Sequence, residues 1–193
     1  MNQRILKIIN FLKEIEKYKT IEREIFISTL KRKESDAEHA WHSAMVLLLL
    51  EKELKEDINI LKAFKMVLIH DIIEIYAGDT FAFDKEGKKS KKDREEKAAE
   101  KLFSQLPDDL RKELYKLWKE YEEGITPESK IIKAIDKIQP ILSNLCSEGK
   151  SWKLKNVTYK DIDEYKRKFV EKNRLIKEIY EELLKEARER KLI

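Results

Sequence analysis

Apolar residues recur along most of this chain at the spacing that places them on one face of an α-helix. Isoleucine and leucine follow this spacing from residue 3 to Tyr18, which predicts an amphipathic helix at the start. Further helices are predicted at about 35–54, 58–76, 91–106 and 108–123. Another helix is predicted to begin at Thr126 and to end before a loop at 149–157. A long final helix, about 158–190, is predicted to be capped by Thr158. The alternation of apolar and polar residues that marks a β-strand never lasts more than a few positions. The pattern therefore predicts an all-α fold, a helical bundle of a single domain.

Cap signals indicate where several of these helices begin and end. Ser35, with Glu38 three residues later, forms a capping box that opens the second helix. Gly78 and Gly124 stand where helices are expected to stop. Pro140 is expected to kink or interrupt its helix because proline donates no backbone hydrogen bond. The stretches 19–34 and 79–90 are expected to be polar connections without regular structure.

Composition agrees with a helical protein and excludes some function classes. Charged residues make up 41% of the 193 positions, apolar residues another 41%, and there are only four Gly and three Pro. The net charge is +4, and Lys and Glu are interspersed, which indicates a solvated helix surface without the segregated basic patch of a nucleic-acid-binding protein. The longest apolar run, Ala44 to Leu50, is too short to cross a bilayer, and the N-terminus does not resemble a signal peptide. We expect a soluble, cytoplasmic protein that binds neither nucleic acid nor membrane.

Some remaining residues have simple structural interpretations. The single cysteine, Cys146, rules out an internal disulfide and is expected to be a buried thiol in a reducing compartment. The three tryptophans are expected to pack in the core or in an interface. The lysine cluster at 85–92 is expected to be a mobile, solvated loop, and the alternative is an entrance that attracts an anionic nucleotide. Lys137 could pair with a carboxylate or with a substrate phosphate, and the sequence does not decide between them.

Several titratable residues lie in apolar helical segments, where burying them requires a stabilising partner. His70 and Asp71 are adjacent in such a segment, and a buried titratable pair costs free energy unless it is solvated, paired or bound to a metal. Glu74 lies about one turn further along the same face. His39 near the start of the second helix and Asp136 in another apolar segment could join them. Histidine and carboxylate from separate helices are the ligands of a hydrolytic divalent metal ion.

The order of these residues resembles a known family. His39, then His70-Asp71, then Asp136 is similar to the HD-domain metal-dependent phosphohydrolases. Wider segments resemble the 5'-deoxynucleotidase branch: Glu38-His39, His70 to Glu74 followed by Gly78-Asp79-Thr80, Glu113 to Glu122, and Lys133 to Lys137. The resemblance covers about residues 5–185. It implies one HD domain over 1–193, with a metal-binding core at about 35–140 and the C-terminal helix at about 158–190.

The resemblance also implies roles for particular residues. One divalent metal ion (Mn, Co, Fe, Zn or Mg) would be held by His39, His70, Asp71 and Asp136. Glu74 would orient or deprotonate the attacking water, Asp79 would contact the sugar hydroxyl, and Arg23 would bind the phosphate. His42 has no counterpart in the family pattern, so we expect it to play a structural role or to support a ligand.

The function implied is hydrolysis of nucleoside 5'-monophosphates, typically 2'-deoxy ones, to nucleoside and phosphate by metal-activated water, in a homodimer. The tryptophan expected beside Arg23, which helps to sense the missing 2'-hydroxyl, is absent; Ile25 or Phe26 stands there, so the sugar preference stays open. Alternatives are HD-domain hydrolases of nucleoside triphosphates or guanosine polyphosphate alarmones, and a non-catalytic helical binding module. No histidine follows His70, which argues against phosphodiesterases with two metals.

Overall fold

Helices account for most of the chain that the computed structural model describes, which is residues 2–55, 57–84 and 86–193. The helices are α1 (Gln3–Glu14), α2 (Asp36–Leu50), α3 (Ile60–Ile69), α4 (Glu74–Ala77), α5 (Lys91–Phe103), α6 (Asp108–Glu123), α7 (Pro127–Cys146), α8 (Lys150–Leu154), α9 (Tyr159–Val170) and α10 (Arg174–Glu189). Short 3-10 turns cover Ile15–Thr20 and Gly87–Lys89. The predicted all-α fold is confirmed. Helix α1 ends a turn before Tyr18 because the chain tightens there into the first of these 3-10 turns.

A small β-hairpin occupies the stretch that was predicted to be an irregular connection. Strand β1 (Glu22–Phe26) pairs antiparallel with β2 (Lys33–Ser35), and Glu22 lies opposite Ser35. That prediction was wrong because the strands are short and β1 buries only Ile25, which leaves no alternating pattern to detect. The hairpin packs against α7 and α8 and carries Arg23 towards the centre of the molecule.

The helix predicted over 58–76 is two helices separated by a tight turn. Helix α3 stops at Ile69, residues 70–73 form the turn, and α4 begins at Glu74. Backbone hydrogen bonds across the turn span three residues: Ile72 N donates to Ile69 O at 3.2 Å, and Glu74 N to Asp71 O at 2.9 Å. The apolar pattern runs through the break without a gap, so periodicity does not indicate it. His70 and Asp71 therefore lie in a turn instead of inside a helix.

Helix α7 runs through the middle of the fold. It contacts α2, α3, α6, α9 and α10, and its buried side chains include a series of isoleucines: Ile131, Ile132, Ile135, Ile138 and Ile141. It begins at the predicted cap, where Thr126 Oγ1 accepts from Ser129 N, and continues through Pro140 without interruption. Because Pro140 has no N–H, the carbonyl of Asp136 receives no hydrogen bond from it. Across the described ranges, neither α7 nor any other helix is long and apolar enough to cross a membrane.

The C-terminal quarter differs from the prediction in two places. Helix α8 lies inside the predicted loop at 149–157, and the single long final helix is really α9 followed by α10. Thr158 caps α9, as predicted, and forms a capping box with Asp161. The Asn173 side chain then accepts from Ile176 N at 2.8 Å and starts a new helix. One burial prediction is wrong: Cys146, at the end of α7, is exposed. Trp41 is 64% exposed, so it does not pack in the core, and of the two expected environments the interface stays a prediction. Trp118 and Trp152 are buried as expected.

Candidate metal centre

Four side chains from three separate parts of the chain converge at the centre of the fold. They are His39 from α2, His70 and Asp71 from the turn after α3, and Asp136 from α7, hereafter the His/Asp cluster. One ligand atom from each lies within 4.8 Å of the others. The two histidine Nε2 atoms are 3.4 Å apart, His39 Nε2 is 3.2 Å from Asp136 Oδ1, and His70 Nε2 is 3.2 Å from Asp71 Oδ2. The structure thus brings together all four residues that the sequence predicted as metal ligands.

Hydrogen bonds on the outer side of each imidazole fix which nitrogen faces the cluster. His39 Nδ1 lies 2.7 Å from Gln139 Oε1, and His70 Nδ1 lies 2.8 Å from the Val67 carbonyl oxygen. Both oxygens only accept, so each Nδ1 carries the proton and each Nε2 presents a lone pair to the cluster. Two imidazole nitrogens and two carboxylate oxygens make a donor set that fits a divalent transition metal.

Gln139 is held in place by further polar groups. Its amide nitrogen donates to Glu34 Oε1 at 2.8 Å and to Ser143 Oγ at 2.9 Å, and it lies 3.1 Å from His42 Nδ1. These partners orient the amide so that its oxygen faces His39. His42 is therefore outside the cluster and touches the residue that positions one of its members. Burial lowers the pKa of His42, which favours the neutral ring that can accept from Gln139.

A second group of carboxylates lies next to the cluster. Asp36 and Glu74 each place an oxygen within 4.8 Å of Asp71 and of each other. Arg23 Nη1 donates to Asp36 Oδ1 at 3.0 Å and to Asp71 Oδ2 at 3.2 Å, so one guanidinium offsets part of this negative charge. When both side chains are ionised, Asp36 Oδ2 and Glu74 Oε2 are buried oxygens that accept no hydrogen bond from the described residues. Such atoms need a proton or a bound cation nearby.

The buried, negatively charged surroundings raise the pKa of both acids. Burial raises the pKa of Glu74 well above its ordinary value, and the nearby Asp71 and Asp36 carboxylates raise it further. Burial also raises the pKa of Asp36, to about 6, although the Arg23 guanidinium acts in the opposite direction. Sequence analysis did not single out Asp36, which lies in the first turn of α2. Its partners come from β1 and from the turn after α3, and no local signal could have indicated them.

A cavity of about 770 Å³ opens beside the cluster. Asp71 and Asp136 line it, and so do the three predicted residues outside the ligand set: Arg23, Glu74 and Asp79. Tyr121 donates to Asp136 Oδ2 at 3.0 Å, and Lys137 forms an ion pair with the same oxygen. Lys137 thus contacts one of its two expected partners, the carboxylate, and it also lines the cavity.

Further basic side chains also face the cavity. Among the described residues they include Lys91, Lys92, Lys133 and Lys166. Lys91 begins α5 and pairs with Glu95 at 3.2 Å, so this end of the predicted solvated cluster at 85–92 belongs to the cavity wall. Lys85 lies outside the described residues. Acidic side chains line the same cavity, among them Glu95 and Glu122, so its wall offers ammonium groups to an anionic ligand without being uniformly basic.

Comparisons with known proteins agree on a family. Residues 15–180 match the HD domain. The chain is 33% identical to the 5'-deoxynucleotidase HDDC2 of Homo sapiens over 137 residues, which is 70% of this chain but only 65% of the human protein. It is 31% identical to the 5'-deoxynucleotidase HDDC2 of Dictyostelium discoideum over 154 residues, covering 77% of this chain and 81% of that protein.

A solved structure extends the likeness to nearly the whole chain. The crystal structure of a predicted metal-dependent phosphohydrolase from Magnetospirillum magnetotacticum MS-1 superimposes with a TM-score of 0.89 at 37% identity. The match covers 98% of this chain and 95% of that one. By the extent of these matches, the chain belongs to the HD-domain family.

Proposed function

We propose that this protein is a metal-dependent phosphomonoesterase that releases phosphate from nucleoside 5'-monophosphates, with 2'-deoxynucleotides as its preferred substrates. The observation that carries the proposal is the His/Asp cluster opening onto a cavity of about 770 Å³ that Arg23, Glu74 and Asp79 also line. The activity named for the relatives, 5'-deoxynucleotidase, supports the same substrate class. Hydrolysis of a nucleoside triphosphate or of a guanosine polyphosphate alarmone is the alternative within the same family.

The cluster would hold one divalent metal ion through His39, His70, Asp71 and Asp136. The orientation of both Nε2 atoms and the two carboxylates beside them support this assignment. When bound, such an ion supplies Lewis-acid chemistry, activating water and offsetting negative charge on a phosphoryl group.

The remaining residues supply positioning and proton transfer. Glu74 lines the cavity beside Asp71, and its raised pKa makes its carboxylate a stronger base, which suits a group that orients an attacking water and takes up its proton. Arg23 lines the cavity within contact of Asp36 and Asp71, which supports a role in holding the phosphate close to the cluster. Asp79 follows the glycine that ends α4 and is assigned to the sugar hydroxyl.

Metal-free protein tested with and without Mn²⁺, Co²⁺ or Mg²⁺ would examine this proposal directly. We expect metal-dependent phosphate release from deoxyadenosine 5'-monophosphate, faster than from adenosine 5'-monophosphate. Asp71→Ala should abolish both turnover and metal retention, measured by mass spectrometry, whereas His42→Ala should largely retain both. If folded protein releases no phosphate with any of these metals, the proposal is wrong. Faster cleavage of a triphosphate or of guanosine tetraphosphate would favour the alternative.

We further propose that the chain forms a single HD domain and works as a cytoplasmic homodimer. Helices α2 and α3 pack together, and both expose apolar side chains that could form the interface: Trp41, Leu48, Leu49, Leu61 and Leu68. The lone cysteine fits a reducing compartment. In light scattering, Leu48→Glu should dissociate the dimer, whereas Leu12→Glu, at an exposed position of α1, should not. A parent protein with the 23.1 kDa mass of one chain would contradict the proposal.

A further inference from the structure

Part of the cavity surface is aromatic. Phe81 and Phe83 from the loop after α4, together with Tyr165 and Phe169 from α9, line the cavity and form what we call the aromatic wall. All four are only partly buried, unlike the core ring of Phe103, which is 1% exposed. The wall therefore presents aromatic surface to the cavity beyond what core packing requires.

The rings of the aromatic wall form a continuous series. Ring centroids are 5.4 Å apart for Phe81 and Phe83, 5.7 Å for Phe83 and Tyr165, and 6.1 Å for Tyr165 and Phe169, with interplanar angles of 61–67°. In such edge-to-face pairs the edge of one ring points at the face of its neighbour. Because all four rings line the cavity and are only partly buried, part of their aromatic surface can be reached by a flat ligand.

One ammonium group connects the aromatic wall to the His/Asp cluster. Lys137 pairs with Asp136 Oδ2, and its Nζ lies 5.3 Å from the Phe169 centroid and 5.7 Å from that of Tyr165. The wall therefore begins one side chain away from the cluster. Along the loop, Asp79 is followed within four residues by Phe81 and Phe83, so the same short segment brings a carboxylate and two rings into the cavity.

We propose that the aromatic wall is the nucleobase subsite, with the base stacking on one of the two rings Phe83 and Tyr165 and touching the other at its edge. This inference rests on the proposed function, because it assigns one part of the cavity to one part of a nucleotide. The phosphate would lie at the His/Asp cluster, the sugar beside Asp79 and the base against the rings, in the order in which the structure presents these groups. Since every base has a flat π-face, stacking of this kind favours substrates that carry a base but discriminates little between different bases.

The experiment compares two substrates that differ only in the base: a 2'-deoxynucleoside 5'-monophosphate and 2-deoxyribose 5-phosphate. Phe83→Leu and Tyr165→Leu should each raise KM for the nucleotide about tenfold, with kcat little changed, because stacking contributes that much per base. The sugar phosphate should be cleaved as well by the variants as by the parent. Phe83→Tyr should restore the nucleotide KM.

Tyr159→Leu is the matched control, since Tyr159 is on the same helix but packs near Arg188 outside the cavity. It should leave both substrates unaffected. An equal loss on both substrates, or an unchanged nucleotide KM in folded Phe83→Leu and Tyr165→Leu proteins, would overturn the base subsite. If the parent cleaves neither substrate, the proposed function has failed, and calorimetric binding of deoxyadenosine monophosphate still decides the inference. A tenfold weaker affinity in Phe83→Leu supports it, and equal affinity refutes it.

Discussion

Lys166 carries a buried ammonium group whose removal should change how stability depends on pH. The residue is 5% exposed on α9, and Nζ donates to the Lys137 carbonyl oxygen at 2.8 Å. Burial lowers the pKa of Lys166 from 10.5 to about 7, and the nearby Lys137 ammonium acts in the same direction. Each pKa unit corresponds to about 1.4 kcal/mol, so the charged form destabilises the fold by at most about 5 kcal/mol.

The sign of the pH dependence follows from which state holds the proton. Above pH 10.5 the Lys166 amine is neutral in both the folded and the unfolded chain, so its protonation does not change the free energy of unfolding. Between pH 10.5 and about 7 only the unfolded chain binds the proton, so the free energy of unfolding falls as the pH falls. Below about pH 7 both states bind the proton, so the destabilisation by Lys166 reaches its full value and no longer changes with pH. Lys166→Met abolishes this titration, and its stability relative to the parent should be about 2–3 kcal/mol more favourable at pH 6 than at pH 9.

Urea unfolding of parent and variant at the two pH values, with a chelator present, measures this difference. Lys168→Met, at an exposed position of the same helix, is the control and should behave alike at both pH values. If the Lys166→Met difference is the same at pH 6 and pH 9, Lys166 is not the titrating group and the reasoning is refuted.

Three further substitutions test supporting contacts. Gln139→Leu removes the acceptor of the His39 Nδ1–H, so affinity for the metal should fall about tenfold or more in a chelator competition; unchanged affinity would show that His39 needs no such support. Gly124→Ala places a Cβ at a φ of +64° and 3.0 Å from Lys133 Cε, which should lower stability by about 1 kcal/mol and the melting temperature by about 2–4 °C. Ser35→Ala removes the cap on Glu38 N and should cost about 1 kcal/mol in urea unfolding, and a neutral result would mean that water replaces the cap.

Local chemistry made much of the fold predictable. Caps at Ser35, Thr126 and Thr158 begin helices in the structure as in the sequence because each side chain satisfies an amide within three residues. His70 and Asp136 stood out because a titratable group in an apolar segment needs a partner, whatever the partner is. The structure indeed places both in one cluster.

Features that depend on distant parts of the chain could not be predicted. Asp36 looked like an ordinary first-turn acid, although its carboxylate meets Arg23 from a strand that shows no strand pattern. Gln139 looked like a neutral residue of α7, although it positions a histidine a hundred residues earlier. Such roles arise from juxtaposition in three dimensions, which neither periodicity nor composition encodes.

The tight turn that carries His70 and Asp71 is anchored in the core by two apolar side chains as well as by polar contacts. Ile72 and Ile73 are 7% and 1% exposed. The volume of these two side chains therefore contributes to the position of the neighbouring Asp71, and a lost methyl group would leave a void into which the turn could settle. Exchanges among isoleucine, valine and leucine at Ile72 and Ile73 would thus shift the Asp71 carboxylate, and with it the chemistry of the cluster, without altering any polar residue.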